Sequence, residues 1–134
     1  MLVHNWQKNM AFVDTNILLR WLLGDHEELS ARAEKLIQEA KPASLLVTNV
    51  IVAEIVYVLR GTGRDCRQTS EALLLIGRTD AFKYENEELI MDVIKLLTEI
   101  KLDFADCYLL ARARREKTGL ETFDGPLHKA YLSD

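Results

Sequence analysis

The residues of this chain best equipped for chemistry are four carboxylates far apart in the sequence: Asp14, Glu54, Asp106 and Asp124. Asp14 follows the apolar run Met10–Val13 and precedes Ile17, Leu18, Trp21 and Leu22, which recur at helical spacing. It therefore lies where a predicted strand hands over to a helix. Asp124 stands in the same relation to "LETF", residues Leu120–Phe123, read as the last strand. Ligands of open α/β sheets bind beyond the carboxyl ends of the strands, so two strand-final carboxylates on parallel neighbours project from one edge. Taken singly, each reads equally well as a helix cap or a turn aspartate.

Glu54 interrupts "VIVAEIVYVL", where every other residue from Val50 to Leu59 is apolar. A helix that is apolar on all sides is buried, so no polar face is expected for this carboxylate. Buried and unpaired, it would take up a proton or cost several kcal/mol. The plainer alternatives are a glutamate at a helix edge, or one paired with Arg20 or Arg60. In "LDFADCYLLARARR", Asp103 and Asp106 share a helix face if both are helical. Asp103 also reads as an N-cap with Asp106 in the first turn, where the helix dipole favours a negative charge. The mixed expectation is Asp106 in the site and Asp103 as cap and support.

Gathered at one end of a parallel sheet, these acids would repel and raise one another's pKa unless a cation sat among them. Oxygen-only ligands suit Mg²⁺ or Mn²⁺, and no His or Cys lies in the cluster to recruit zinc. Carboxylate-held Mg²⁺ with open water positions is the equipment of phosphodiester hydrolysis.

The elements that must position the acids alternate between strand and helix, which predicts an α/β fold with a mostly parallel sheet. Asp25 and Glu28 resemble a capping box opening a second helix, whose stripe is Leu29, Ala33, Leu36, Ile37 and Ala40 and which Pro42 stops. Ser44–Val47 and Ala81–Tyr84 read as strands. Thr48 and Asn49 can cap the helix that carries Glu54, and "GTG" at Gly61–Gly63 ends it. Further helices are expected near 64–76, 87–100 and from about Asp103, with a short one at most in the tail. Trp21 and Tyr57 read as core.

The chain has 134 residues, 49% hydrophobic and 28% charged, within the range of one soluble domain. No apolar stretch approaches the ~18 residues of a membrane span. The opening "MLVHNWQKN" lacks the features of a secretion signal and reads as a poorly ordered extension, residues 1–9, before a single domain at 10–134. Cys66 and Cys107 show no metal or disulfide spacing, so reduced thiols in a cytoplasmic protein are expected. A formal net charge of −4 argues mildly against an open nucleic-acid-binding surface, unless acids are gathered on metal. Arg112, Arg114, Arg115 and Lys117 form a basic run that either guides an RNA backbone or ends a solvated helix. Arg20 either meets phosphate or balances the acids, and His128 reads as surface.

"FVDTNILLRWL", "VAEIVYVL", "DFADCYLLARA" and "TFDGPLHK" resemble, in order, the acidic motifs of PIN-domain nucleases, and most closely those of VapC-type ribonuclease toxins. The resemblance runs from about Met10 to the C-terminus. It implies an α/β/α sandwich around a parallel sheet and an endoribonuclease dependent on Mg²⁺ or Mn²⁺. Asp14, Asp106 and Asp124 would hold the metal, with Glu54 directly or through water. Asn16 and Thr122 would orient ligands or water, Asp103 would be an auxiliary acid, and Arg20, Arg112 and Arg115 would contact RNA. A cognate antitoxin is implied as partner, and a homodimer is expected. Two other classes compete: a PIN nuclease of RNA maturation, and a phosphohydrolase using Asp14 as nucleophile. The second usually carries another Asp two residues on, where Asn16 stands here.

Overall fold

The computed structural model describes residues 9–133; the expected extension lies, apart from Asn9, outside the described residues. The element order is β1 (Ala11–Phe12), α1 (Thr15–Leu23), α2 (Glu27–Glu39), β2 (Leu45–Val47), α3 (Asn49–Gly61), α4 (Cys66–Arg78), β3 (Phe82–Tyr84), α5 (Glu87–Glu99), α6 (Phe104–Glu116) and α7 (Gly125–Leu132). The three strands pair in parallel in the order β1-β2-β3, with Phe12 opposite Leu46 and Val47 opposite Tyr84. Helices pack around this open sheet, giving the α/β fold with a parallel sheet that the alternation predicts. Among the described residues, no helix is long and apolar enough to cross a membrane.

Parallel strands need helical crossovers, and each crossover here is a helix pair whose apolar stripe turns inward. Leu18 of α1, Ile55 and Leu59 of α3, Leu73 and Ile76 of α4, and Ile90 and Val93 of α5 are all buried in one continuous core. Leu110 of α6 and Leu127 of α7 close it on the C-terminal side. Full burial of such a side chain stabilises by about 1.5–3 kcal/mol, which is why the helix spans follow the apolar period closely. Gly24 ends α1 with φ 59°, a left-handed conformation that glycine adopts without penalty.

Several expectations change. Leu120–Phe123 is irregular, with a bend at Phe123, and joins no strand ladder among the described residues, although its side chains alternate in exposure as in a strand. A strand is completed by a partner's backbone, and alternation alone cannot supply one. β1 covers only Ala11 and Phe12, both exposed at the sheet edge, and only Val13 behind them is buried as expected of that run. The cap of α2 is His26, whose Nδ1 accepts from Leu29 N–H at 3.1 Å, in place of the expected Asp25 box. Asp25 instead pairs with Arg20. The capping box that does form is Asp65 with Gln68, opening α4 two residues later than expected. On α6 the buried residues are Cys107, Leu110, Ala111 and Ala113, while Leu109 is exposed.

Tyr57, read as core, is 79% exposed, and Val50 is 71% exposed on the same helix. Val50, Glu54 and Tyr57 sit at i, i+4 and i+7, one stripe of α3 that no other element covers among the described residues. The apolar sequence of α3 therefore marks a helix with one open face, and the expectation of a buried Glu54 fails for that reason. Trp21 is half-buried and packs at 5.3 Å, tilted 59°, on Phe82.

Candidate active site

Asp14 leaves β1 in an extended conformation and caps α1, its Oδ1 accepting from Thr15 N–H at 2.8 Å. Capping uses one oxygen of the carboxylate, so the cap and site readings of this residue are compatible. Thr15 is 7% exposed and its hydroxyl donates to Glu54 Oε1 at 2.9 Å. Neither Arg20 nor Arg60 serves Glu54: Arg20 bonds Asp25, and Arg60 donates to Cys66 Sγ at 2.8 Å. Asp14, just after β1, and Glu54, in the middle of α3, are thus joined through one buried residue, Thr15, by its backbone N–H and its hydroxyl.

Asp103, Asp106 and Asp124 form the second group. Asp103 caps α6, its Oδ1 accepting from Asp106 N–H at 3.0 Å, and Asp106 follows in the first turn. Partial burial, then the charges of Asp103 and Asp124 and hydrogen bonds with both, holds the Asp106 carboxyl above its ordinary value. Burial is the largest of these causes, and the repulsion between neighbouring carboxylates adds to it. Asp124 occupies the N-cap position of α7 but makes no side-chain cap bond. Its backbone N–H donates to Thr122 Oγ1 at 2.9 Å, a local turn that aims the exposed carboxylate without a strand beneath it. Asp124, without a strand before it, still lies close enough to Asp106 for its charge to raise that carboxyl.

The remaining residues fall around these two groups. Asn16 is exposed in the first turn of α1 and lines a small cleft with Ile17, Arg20, Arg32 and Leu36. Arg112 is bound by Glu116, with Nε to Oε2 at 2.6 Å, and lies over the Tyr108 ring. Arg115 pairs with Asp92 and with Glu88, the latter at 3.1 Å. His128 is exposed, as expected. A groove of about 1500 Å³ opens beside Asp103, walled by Tyr57, Arg60, Cys66, Lys101 and Phe104. Thr15 is the residue that sequence reasoning passed over; its signal was a hydroxyl between Asp14 and Asn16 on the inward side of an amphipathic helix.

The donor set is carboxylate and hydroxyl oxygen throughout, the chemistry that a hard divalent cation prefers. As the side chains stand, no three His, Cys, Asp or Glu among the described residues converge closely enough to hold an ion. Asp14, Glu54 and Asp124 are exposed and Asp106 is half-buried, so all four carboxylates are open to solvent. The donor chemistry fits such an ion.

A family model for the PIN domain matches residues 11–131, and the chain belongs to that family. The solved structure of Mycobacterium tuberculosis VapC20, a sarcin–ricin-loop-cleaving toxin, is 21% identical with a TM-score of 0.41, covering 89% of this chain and 93% of that one. A toxin–antitoxin complex from Klebsiella pneumoniae is 19% identical with a TM-score of 0.40, covering 85% and 86%. No curated protein matches the chain.

Proposed function

We propose that this PIN-domain protein is a metal-dependent endoribonuclease and the toxin of a type II toxin–antitoxin pair. The observation that carries the reading is the PIN-domain match over residues 11–131, supported by the hydrogen bond from Asp106 N–H to Asp103 Oδ1 and by the charge of Asp124, which helps to raise the Asp106 carboxyl. A protein has little structural reason to keep like charges together, and a site for a cation is a sufficient one. Asp14, Asp106 and Asp124 would hold Mg²⁺ or Mn²⁺, with Glu54 directly or through water. Such an ion lowers the pKa of a bound water and offsets charge developing on a phosphoryl group.

The chain's own residues supply the rest. Thr15 holds Glu54 toward Asp14, and the Asp103 cap fixes the first turn of α6 so that Asp106 faces Asp124. Thr122 sets the backbone at Asp124, and Asn16 stands one residue beyond Thr15 to orient water or substrate. Arg20, Arg112 and Arg115 would contact the RNA backbone. Their present ion pairs are solvent-exposed, worth about 0–1 kcal/mol each, and open to exchange for phosphate. A second copy of the chain and an antitoxin protein complete the proposed partner set, in a cytoplasmic setting.

The test has two arms. Purified protein should cut RNA with Mg²⁺ or Mn²⁺ and stop in excess chelator, and cleavage that persists in chelator but is lost in Asp14→Asn overturns the metal mechanism. Induced alone in a bacterial host, the wild type should arrest growth and the Asp14→Asn form should not. Harmless expression of a metal-active enzyme would replace the toxin assignment with a nuclease of RNA maturation.

A further inference from the structure

The two groups of acids lie on separate elements, Glu54 on α3 and Asp106 on α6, and their spacing decides whether one ion can bridge them. Apolar contact between two helices is non-directional and leaves that spacing soft. Among the described residues, the side-chain hydrogen bond that ties α3 to α6 is Asn49 Nδ2 to Tyr108 Oη, at 3.1 Å. Asn49 opens α3 five positions before Glu54, and Tyr108 lies two positions after Asp106.

Both ends of this tie are themselves braced. Asn49 N–H donates to Glu85 Oε1 at 2.9 Å, just beyond β3, which fixes the first turn of α3 to the sheet edge. The Tyr108 ring packs 6.0 Å from Phe104 and lies 5.9 Å beneath the Arg112 guanidinium, whose Nη1 also donates to Oη at 3.3 Å. Arg112 is held in turn by Glu116. A braced polar chain therefore runs from the end of β3, through the start of α3, into α6.

The amide of Asn49 is a poor choice for packing alone. Its Oδ1 is enclosed and makes no hydrogen bond among the described residues, a standing penalty that an apolar side chain would avoid. Exchanging the amide's O and N would let Tyr108 donate to Oδ1 and leave Nδ2 unmatched, so the tie persists in either assignment. What the asparagine supplies is a directional bond at this one point.

We propose that Asn49 and Tyr108 are positioning residues: a strut that sets the distance between Glu54 and Asp106 and so the affinity of the site for a divalent cation. The proposal rests on the metal-nuclease reading above. Outer-shell partners of metal ligands commonly change affinity by about 10–100-fold when removed, and this strut acts at one further remove through the helices.

The experiment is Mn²⁺ binding to the full chain, by titration calorimetry or by the electron paramagnetic resonance signal of the free ion, for wild type, Tyr108→Phe, Asn49→Ala and the double variant. Tyr108→Phe keeps the ring contacts and removes only the hydroxyl. Each single change should weaken Mn²⁺ binding by about 10-fold. The double variant should be no weaker than the weaker single, because either change cuts the same bond. The Mn²⁺ concentration that half-saturates RNA cleavage should rise in the same ratio as the dissociation constant measured directly. Wild-type Mn²⁺ affinity in folded Tyr108→Phe, or in Asn49→Ala should the first fail to fold, overturns the strut. Additive losses in the double variant also overturn it. A wild type that binds no Mn²⁺ at all overturns the metal reading itself, a distinct result.

Discussion

The Thr15 hydroxyl donates to Glu54 Oε1 at 2.9 Å across 39 residues of sequence, and Thr15 N–H is at the same time the group capped by Asp14. One residue thus joins the strand-final acid to the helical one. Its burial makes the geometry specific, since a hydroxyl at 7% exposure has few competing waters. Thr15→Val keeps the shape and removes the bond, and a net hydrogen bond of about 1 kcal/mol corresponds to roughly a 5-fold loss in kcat/KM. Thr15→Ser should restore most of it. Steady-state RNA cleavage decides, and equal activity of Thr15→Val and wild type would remove Thr15 from the site.

The acids should rank by role. Asp14→Asn, Glu54→Gln, Asp106→Asn and Asp124→Asn should each lose about 100-fold or more in RNA cleavage, because an amide gives neither charge nor metal affinity. Asp103→Asn should lose less, about 10-fold, since asparagine caps a helix as well as aspartate does and Asp103 bonds Asp106 N–H in that capacity. Wild-type cleavage by Asp106→Asn would return that residue to a purely structural role.

Stability should follow pH in a direction set by Asp106. Its folded-state pKa is raised by burial and by Asp103 and Asp124, so the folded chain holds that proton more tightly than the unfolded one. The associated stability is present below the ordinary carboxylate pKa of about 3.9 and is lost as pH rises through the raised value. In chelator at neutral pH, Asp124→Asn should therefore melt higher than wild type, because it removes one of the charges that crowd Asp106. The gap should narrow as the pH is lowered and Asp106 takes up its proton, since a neutral carboxyl is no longer repelled. Asp14→Asn should change little, because Asn also caps. A lower melting point for Asp124→Asn at neutral pH would make Asp124 a structural partner.

The two thiols should differ sharply. Burial first, then the charges of Asp103 and Asp106, pushes the Cys107 thiol up to about 12, and its side chain is fully enclosed behind α6. Cys66 is half-buried at the start of α4 and accepts from Arg60. A disulfide reagent such as dithionitrobenzoate should label Cys66 in the folded protein and reach Cys107 only on unfolding, since the thiolate is the nucleophile. Equal labelling rates in the native state would contradict this packing.

Much of the architecture was decided locally. The helical periods of α1, α3 and α5, the turn at Gly24, the strand runs at Leu45–Val47 and Phe82–Tyr84 and the capping aspartate at Asp103 follow from residue order alone, because capping and amphipathicity are short-range properties. The order of the acidic motifs carried the family resemblance for the same reason. Tertiary structure decided what depends on partners distant in sequence. Leu120–Phe123 alternates like a strand but lacks a ladder, and Tyr57 and Glu54 belong to an apolar helix that leaves one face open. The bonds from Thr15 to Glu54 and from Asn49 to Tyr108 span 39 and 59 residues, and nothing in either local sequence announces its partner. Periodicity states how many faces of an element are apolar, whereas only the packed chain determines which of them is covered and which carboxylates meet.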